Sequence, residues 1–344
     1  MNHDEAPAQR LSRPPPLSLI RWLLGVPFTQ AIYVAAELGL PDHLADGPQS
    51  CGQLAAAVGA EPGSLMRLLR MLVNTGIVAY ADEEKFALTA TGRHLQSAES
   101  GSLRDLARLG GAPWHLKPWT ELLHAVKTGE PSFDRLHGMK FYEYLSQNPP
   151  AARLFDNAMT SVVGRFAVAV ADVCDLSGAG TIVDVGGGSG TLLATLLEKN
   201  PDAKGVLFDM ETAIEASDPI LEGFAAAGRC TRVIGDFFEE VPKGADVYVL
   251  SHVLHNWDNV RAAAILRNCR KAMQTSSRLL IIELFSGPGQ DLYASWLDLE
   301  MLVNFGGRER SEAEYRRLVE EVGLALANII ATQSPVRVME CRSV

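Results

Sequence analysis

The chain has 344 residues, with 31 lysines and arginines against 41 aspartates and glutamates, and a formal net charge of −10. That balance disfavours nucleic acid as a partner, and no uninterrupted apolar run approaches the roughly 18–20 residues a membrane span needs. Cys51, Cys174, Cys230, Cys269 and Cys341 are widely spaced and form no CxxC pair, which offers neither a disulfide framework nor a zinc site. The expectation is a cytoplasmic protein of about two domains, with no metal, no nucleic acid and no membrane.

Met1–Pro16 is polar, ends in three prolines and lacks an apolar signal region, so it reads as a disordered tail. Residues 17–105 read as a mostly helical winged-helix domain. A helix over Thr29–Leu40 stops at Gly39 and Pro41, then Cys51–Val58 and Gly63–Thr75 form a helix pair. Ile77–Tyr80 and Lys85–Leu88 follow as a two-stranded wing. Arg67 and Arg70 on the second helix invite a DNA-binding reading. The wing tip Asp82, Glu83, Glu84 would face phosphates with the wrong charge, so those arginines read as a solvated helix face. Residues 106–165 read as a helical linker and pocket wall, dense in aromatics. There Trp114, His115 and Trp119 are either core or the wall of a site for a flat ligand.

Residues 166–344 change texture. Strands at Thr181–Val185, Lys204–Phe208, Thr231–Ile234, Ala245–Leu250 and Arg278–Glu283 alternate with helices at Leu192–Lys199 and Ala262–Met273. The pattern predicts an α/β, Rossmann-like doubly wound domain on a parallel sheet. Its first strand runs into Asp184-Val185-Gly186-Gly187-Gly188-Ser189-Gly190. A dinucleotide loop places its third glycine three residues after the second, and here that position is Thr191. No Walker lysine is present. Asp184, two residues before Gly186, suits an ammonium or a hydrogen-bond donor rather than a pyrophosphate. Asp209, about twenty positions on at the end of the second strand, suits ribose hydroxyls. Met210 can cover an adenine face, Asp236 can accept from its amino group and Phe237 can pack on the ring. The set describes a nucleoside with a positively charged end.

These segments, together with GDFFEEVP, LSHVLHNWDN and GGRERSEAEY in that order behind a winged-helix half, resemble the S-adenosylmethionine-dependent O-methyltransferases of small aromatic molecules. That family spans plant caffeate and flavonoid enzymes and bacterial antibiotic-tailoring enzymes. The resemblance covers roughly Phe28 to the C-terminus. It implies that Asp184, Gly186, Gly188 and Gly190 surround the methionine part of S-adenosylmethionine, Asp209 the ribose, and Met210, Asp236 and Phe237 the adenine. Ser251 then lies near the cofactor, where plant relatives often carry a lysine. His255, just beyond the strand before it, becomes the general base, bracketed by Glu283 and Glu309. The usual residue after this histidine is Asp, and here it is Asn256. Met301 and Asn304, on a helix expected over Ser295–Phe305, match positions that line the acceptor site, with Trp114 and His115 as further candidates. The resemblance also implies a homodimer through the N-terminal domain.

The expected reaction is methyl transfer to the hydroxyl of a small aromatic metabolite. Departure of a neutral thioether needs no acid, whereas a phenol of pKa about 10 needs a base. The alternatives are nitrogen or carbon transfer, or a non-methylating reaction such as decarboxylation, hydroxylation or ring formation. His252, His255 and Asp258 fall at spacings that could suggest a metal on a helix. They lack the HExxH pattern and further ligands.

Overall fold

In a computed structural model of the protein, residues 16–99, 101–290 and 292–344 are described. The expected N-terminal tail lies outside them except at its last position, where Pro16 opens a helix, Pro16–Leu23. The chain divides into two compact units, one ending at Ser97 and the other beginning at Ala98.

In the first unit the helix expected over Thr29–Leu40 runs earlier, Gly25–Glu37. A short strand, β1 (Gln49–Ser50), leads into helix Cys51–Val58, whose first turn is closed by a reciprocal Ser50–Gln53 capping box. Glu61 caps the next helix, Pro62–Asn74, by accepting from the backbone N–H groups of Gly63 and Ser64. Leu65, Leu69 and Leu72 face the core while Arg67 and Arg70 are exposed. Strands β2 (Val78–Tyr80) and β3 (Lys85–Leu88) form the wing, and β1 adds to its edge in the order β1-β3-β2. Asp82 holds the turn by accepting from the N–H groups of Glu84 and Lys85 at 2.8 and 2.7 Å.

The second unit is built on seven strands: β4 (Thr181–Val185), β5 (Lys204–Asp209), β6 (Cys230–Ile234), β7 (Val247–Ser251), β8 (Arg278–Glu283), β9 (Leu324–Ala331) and β10 (Arg337–Ser343). Their order is β6-β5-β4-β7-β8-β10-β9. The first five are parallel. The last two, which the sequence reading omits, form an antiparallel hairpin that pairs with β8 through β10. Alternate residues of each central strand enter opposite cores, as a sheet covered on both faces requires. Ile182, Val249, Leu280 and Ile282 pack with Leu193, Leu197, Phe166 and Val170 on one face. Val183, Tyr248, Leu250 and Ile281 pack with Ala262, Leu266, Tyr315 and Val319 on the other. Each fully buried aliphatic side chain contributes roughly 1.5–3 kcal/mol.

Helix Pro149–Val173 is, among the described residues, the one helix long and apolar enough to cross a membrane by length and composition. Its Phe166, Ala167 and Val170 face the core of the second unit.

Strand order reverses between β4 and β7, so the crevice for a ligand lies beyond the carboxyl ends of β4, β5 and β7.

Candidate active site

The loop after β4 turns through left-handed backbone at Gly186, Gly188 and Gly190, with φ of 70°, 58° and 79°. The Gly186 N–H donates to the Phe208 carbonyl at 2.8 Å, and the Gly188 N–H donates to Asp209 Oδ2 at 2.8 Å. A side chain on Gly187 would run into the Asp184 carboxyl, which the loop wraps. Asp184 is 1% exposed, and neither carboxylate oxygen has a hydrogen-bond partner. Burial, with Asp209 adding to it, pushes its carboxyl up to about 7. A buried carboxylate with no donor is costly, and a cationic, donor-rich group is what its chemistry fits. Burial also raises Asp209, which the N–H groups of Gly188 and Met210 draw back down.

At the neighbouring strand ends Met210 and Asp236 are exposed, while Phe237 is half-buried and packs edge-on to Phe238 and Trp257. Asp236 Oδ1 accepts from the Phe238 N–H at 2.7 Å. Helix Pro149–Val173 reaches the loop through Thr160, whose hydroxyl donates to Ser189 Oγ at 2.8 Å.

Beyond β7 the chain does not form the helix expected around His252 and His255. His252 takes a left-handed φ of 53°, the one non-glycine among the described residues to do so, and a short 3₁₀ turn follows at Leu254–Asn256. The strained residue places its ring flat against Phe166, with centroids 4.7 Å apart, and edge-on to His255 at 5.3 Å. Burial and the His255 charge hold the His252 imidazole down at about 3. Ser251 Oγ lies 3.4 Å from His252 Nδ1.

His255, Glu283 and Glu309 do come together. His255 Nδ1 meets Glu309 Oε1 at 2.7 Å and stands 3.6 Å from Glu283 Oε2. Glu283 Oε1 accepts from the backbone N–H groups of Leu254 and His255 at 2.9 and 3.3 Å, tying β8 to the turn. Burial pulls the His255 imidazole down, but the two carboxylates outweigh it and raise the ring to about 9. Burial pushes Glu283 up while the His255 charge draws it back. The three groups form one buried cluster. They also have a metal-ligating composition, with ligand atoms within 4.8 Å of one another.

Arg310, a residue given no role by sequence reasoning, is fully buried beneath this centre. It donates to the Leu254 and Trp257 carbonyls at 2.8 and 2.6 Å and to Asn259 Oδ1 at 3.0 Å, clamping the turn from below. Its presence in the GGRER segment was the available signal. Asn256 Nδ2 donates to the Tyr142 hydroxyl at 3.0 Å, so this position joins the turn to the aromatic segment.

The expected helix over Ser295–Phe305 is two elements. An α-helix, Leu292–Glu300, passes into a π-helical turn, Met301–Phe305, closed by the Gly306 N–H donating to the Met301 carbonyl at 2.8 Å. Met301 is buried in the sheet-side core. Asn304 and His115 meet at a residue missed in the sequence, Glu300, as described below. Trp114 stacks on Tyr144 and stands edge-on to His115, each at 5.5 Å between centroids, within a cluster that includes Phe133 and Phe141.

Two family models match the chain: an O-methyltransferase dimerisation domain over residues 20–97 and an O-methyltransferase domain over residues 119–325. The chain belongs to the O-methyltransferase family. It is 38% identical to the phenazine O-methyltransferase of Lysobacter antibioticus over 332 residues, which is 96% of this chain and 97% of that protein. It is 33% identical to the phenazine-1-carboxylate N-methyltransferase of Pseudomonas aeruginosa over 315 residues, 91% and 93% of the two chains. Among solved structures, an O-methyltransferase from neocarzinostatin biosynthesis superposes with a TM-score of 0.82 at 34% identity, covering 94% of this chain and 98% of that one. It was crystallised with S-adenosylmethionine and 2-hydroxy-5-methyl naphthoic acid. The family uses S-adenosylmethionine, and the partnerless Asp184 carboxylate beside the glycine loop fits the charged end of that molecule.

Proposed function

We propose that this O-methyltransferase moves a methyl group from S-adenosylmethionine to a hydroxyl of a small aromatic metabolite, with His255 as general base, and works as a homodimer through its N-terminal unit. The observation that carries the base assignment is the buried 2.7 Å pairing of His255 Nδ1 with Glu309 at the mouth of the sheet crevice. S-adenosylmethionine, when bound, supplies an electrophilic methyl group on a sulfonium. Asp184 would hold its ammonium, and Asp209, already fixed by Gly188 and Met210, would accept from the ribose hydroxyls. Met210, Asp236 and Phe237 would flank the adenine, with Ser251 close by.

A carboxylate on Nδ1 leaves Nε2 of the neutral ring as the proton acceptor. His255 Nε2 takes the phenolic proton as the oxygen bonds to carbon, and the proton remains on the ring. Glu309 and Glu283 stabilise the imidazolium, and Arg310 keeps the turn from yielding. Alignment of the reacting atoms supplies the rest of the acceleration. Met301 and Asn304 would line the acceptor side, together with His115. The nitrogen-methylating relative, similar over nearly the whole chain, supports amine transfer as a second reading of the same donor site.

A labelled-methyl screen of phenols and aromatic amines tests both. Label on oxygen supports the proposal, label on nitrogen alone supports the second reading, and binding of S-adenosylmethionine without transfer to any member rejects both.

A further inference from the structure

A second buried polar cluster lies within the C-terminal unit, apart from the His255 centre. Glu300, at the last residue of helix Leu292–Glu300, is 4% exposed. Its Oε1 accepts from His115 Nε2 and from Asn304 Nδ2, each at 2.8 Å, and its Oε2 accepts from Trp119 Nε1 at 2.9 Å. Three donors from three segments thus satisfy one carboxylate, as a buried charge requires.

The consequence falls on Asn304. A carboxylate offers only acceptors, so the amide must turn its NH₂ toward Glu300. Its Oδ1 then points away, fully buried and without a partner. His115 Nδ1, on the far side of the ring from Glu300, is likewise buried without a partner. A buried acceptor such as Asn304 Oδ1 penalises any neighbour that brings no proton to it. Asn304 is also tied to the reacting centre. It sits in the π-helical turn two residues before Gly306, a side chain on Gly307 would run into the His255 carbonyl, and that carbonyl accepts from the Arg308 N–H at 2.8 Å. π-Helical turns are frequent at functional sites.

We propose that Glu300 is a specificity-determining positioning residue: by fixing the polarity of Asn304, it requires the aromatic acceptor to carry a hydrogen-bond donor, a hydroxyl or amino group, in addition to the atom that receives the methyl group. This rests on the proposed function for the acceptor role of Asn304. A ring bearing only the reacting hydroxyl leaves Asn304 Oδ1 unpaired, whereas a second ring hydroxyl or amine satisfies it.

The test is equilibrium binding, which needs no turnover. Calorimetry on protein saturated with S-adenosylhomocysteine compares 2-naphthol with the 2,3-, 2,6- and 2,7-dihydroxynaphthalenes. At least one dihydroxy isomer should bind the wild type about tenfold or more tightly than 2-naphthol. In Glu300→Gln, one amide oxygen must serve three donors and the Asn304 amide is free to turn. The preference should then fall to roughly threefold or less, and Asn304→Ala should abolish it as well. A merely structural glutamate would weaken all four ligands together and leave the ratio unchanged. Should Glu300→Gln not fold, the wild-type ratio and Asn304→Ala decide. The inference is overturned if no dihydroxy isomer is preferred, if none binds, or if the preference survives either substitution. Failure of methyl transfer in the labelled screen would reject the proposed function while leaving this ratio readable.

Discussion

A histidine flanked by two carboxylates gains strength as a base and loses availability, because at neutral pH it already carries a proton. With His255 raised to about 9 by Glu283 and Glu309 against the pull of burial, kcat/KM should climb as pH rises from 7 through 9 and level off above it. Glu309→Gln should move that limb to lower pH and reduce the plateau; a flat profile in the wild type would remove His255 as the base. His255→Ala should lower turnover by about a hundredfold or more, with unchanged S-adenosylhomocysteine affinity by calorimetry. The stability sign follows from the same shift. A folded value above the ordinary 6.5 means that the pairing contributes fully below 6.5 and is lost as pH rises through 9. Asp184 behaves differently as a binding group. Its carboxyl, at about 7 in the free protein, must ionise to hold an ammonium. S-adenosylmethionine affinity should therefore improve as pH rises through 7 and level off above it, and Asp184→Asn should weaken binding and remove that dependence.

Between residues and fold, the short elements carry the site. The 3₁₀ turn Leu254–Asn256, the π-helical turn Met301–Phe305 and the segment Gly306–Arg310 are locked together by backbone contacts. Gly307 lies so close that a side chain there would meet the His255 carbonyl and the Asn256 backbone. Gly307→Ala should consequently depress both the melting temperature and turnover, with thermal melts and a labelled-methyl assay as readouts; wild-type values in both would show that the contact yields cheaply. None of these turns was legible as such. A helical apolar spacing over Ser295–Phe305 is the same whether the last turn closes at i+4 or i+5, and a histidine in left-handed backbone has no pattern of its own. The central strands were legible, because covered parallel strands are near-continuous apolar runs. The β9–β10 hairpin was not, its alternation being blurred by partly exposed apolar residues at the sheet edge.

For the molecule as a whole, the parallel strands put every cofactor candidate beyond the carboxyl ends of β4, β5, β6 and β7, around the reversal of strand order. The N-terminal unit matches a dimerisation domain, and light scattering at micromolar concentration should report twice the chain mass; a monomer would overturn the dimer. The acidic wing and the net charge of −10 predict no retardation of random DNA in a gel at physiological salt.

Local chemistry was readable from the chain by itself. A glycine loop following a strand, acids at successive strand ends and a histidine just beyond β7 are each set by neighbours a few residues away. Together with the family resemblance they pointed to a methyl donor site. Distant pairings were decided only by the tertiary structure. Glu309 reaches His255 across 54 positions, Glu300 gathers Trp119 from 181 positions away, and Trp114 packs between His115 and an aromatic cluster. Which buried donor meets which buried acceptor depends on where packed helices bring segments together, and no local spacing encodes that.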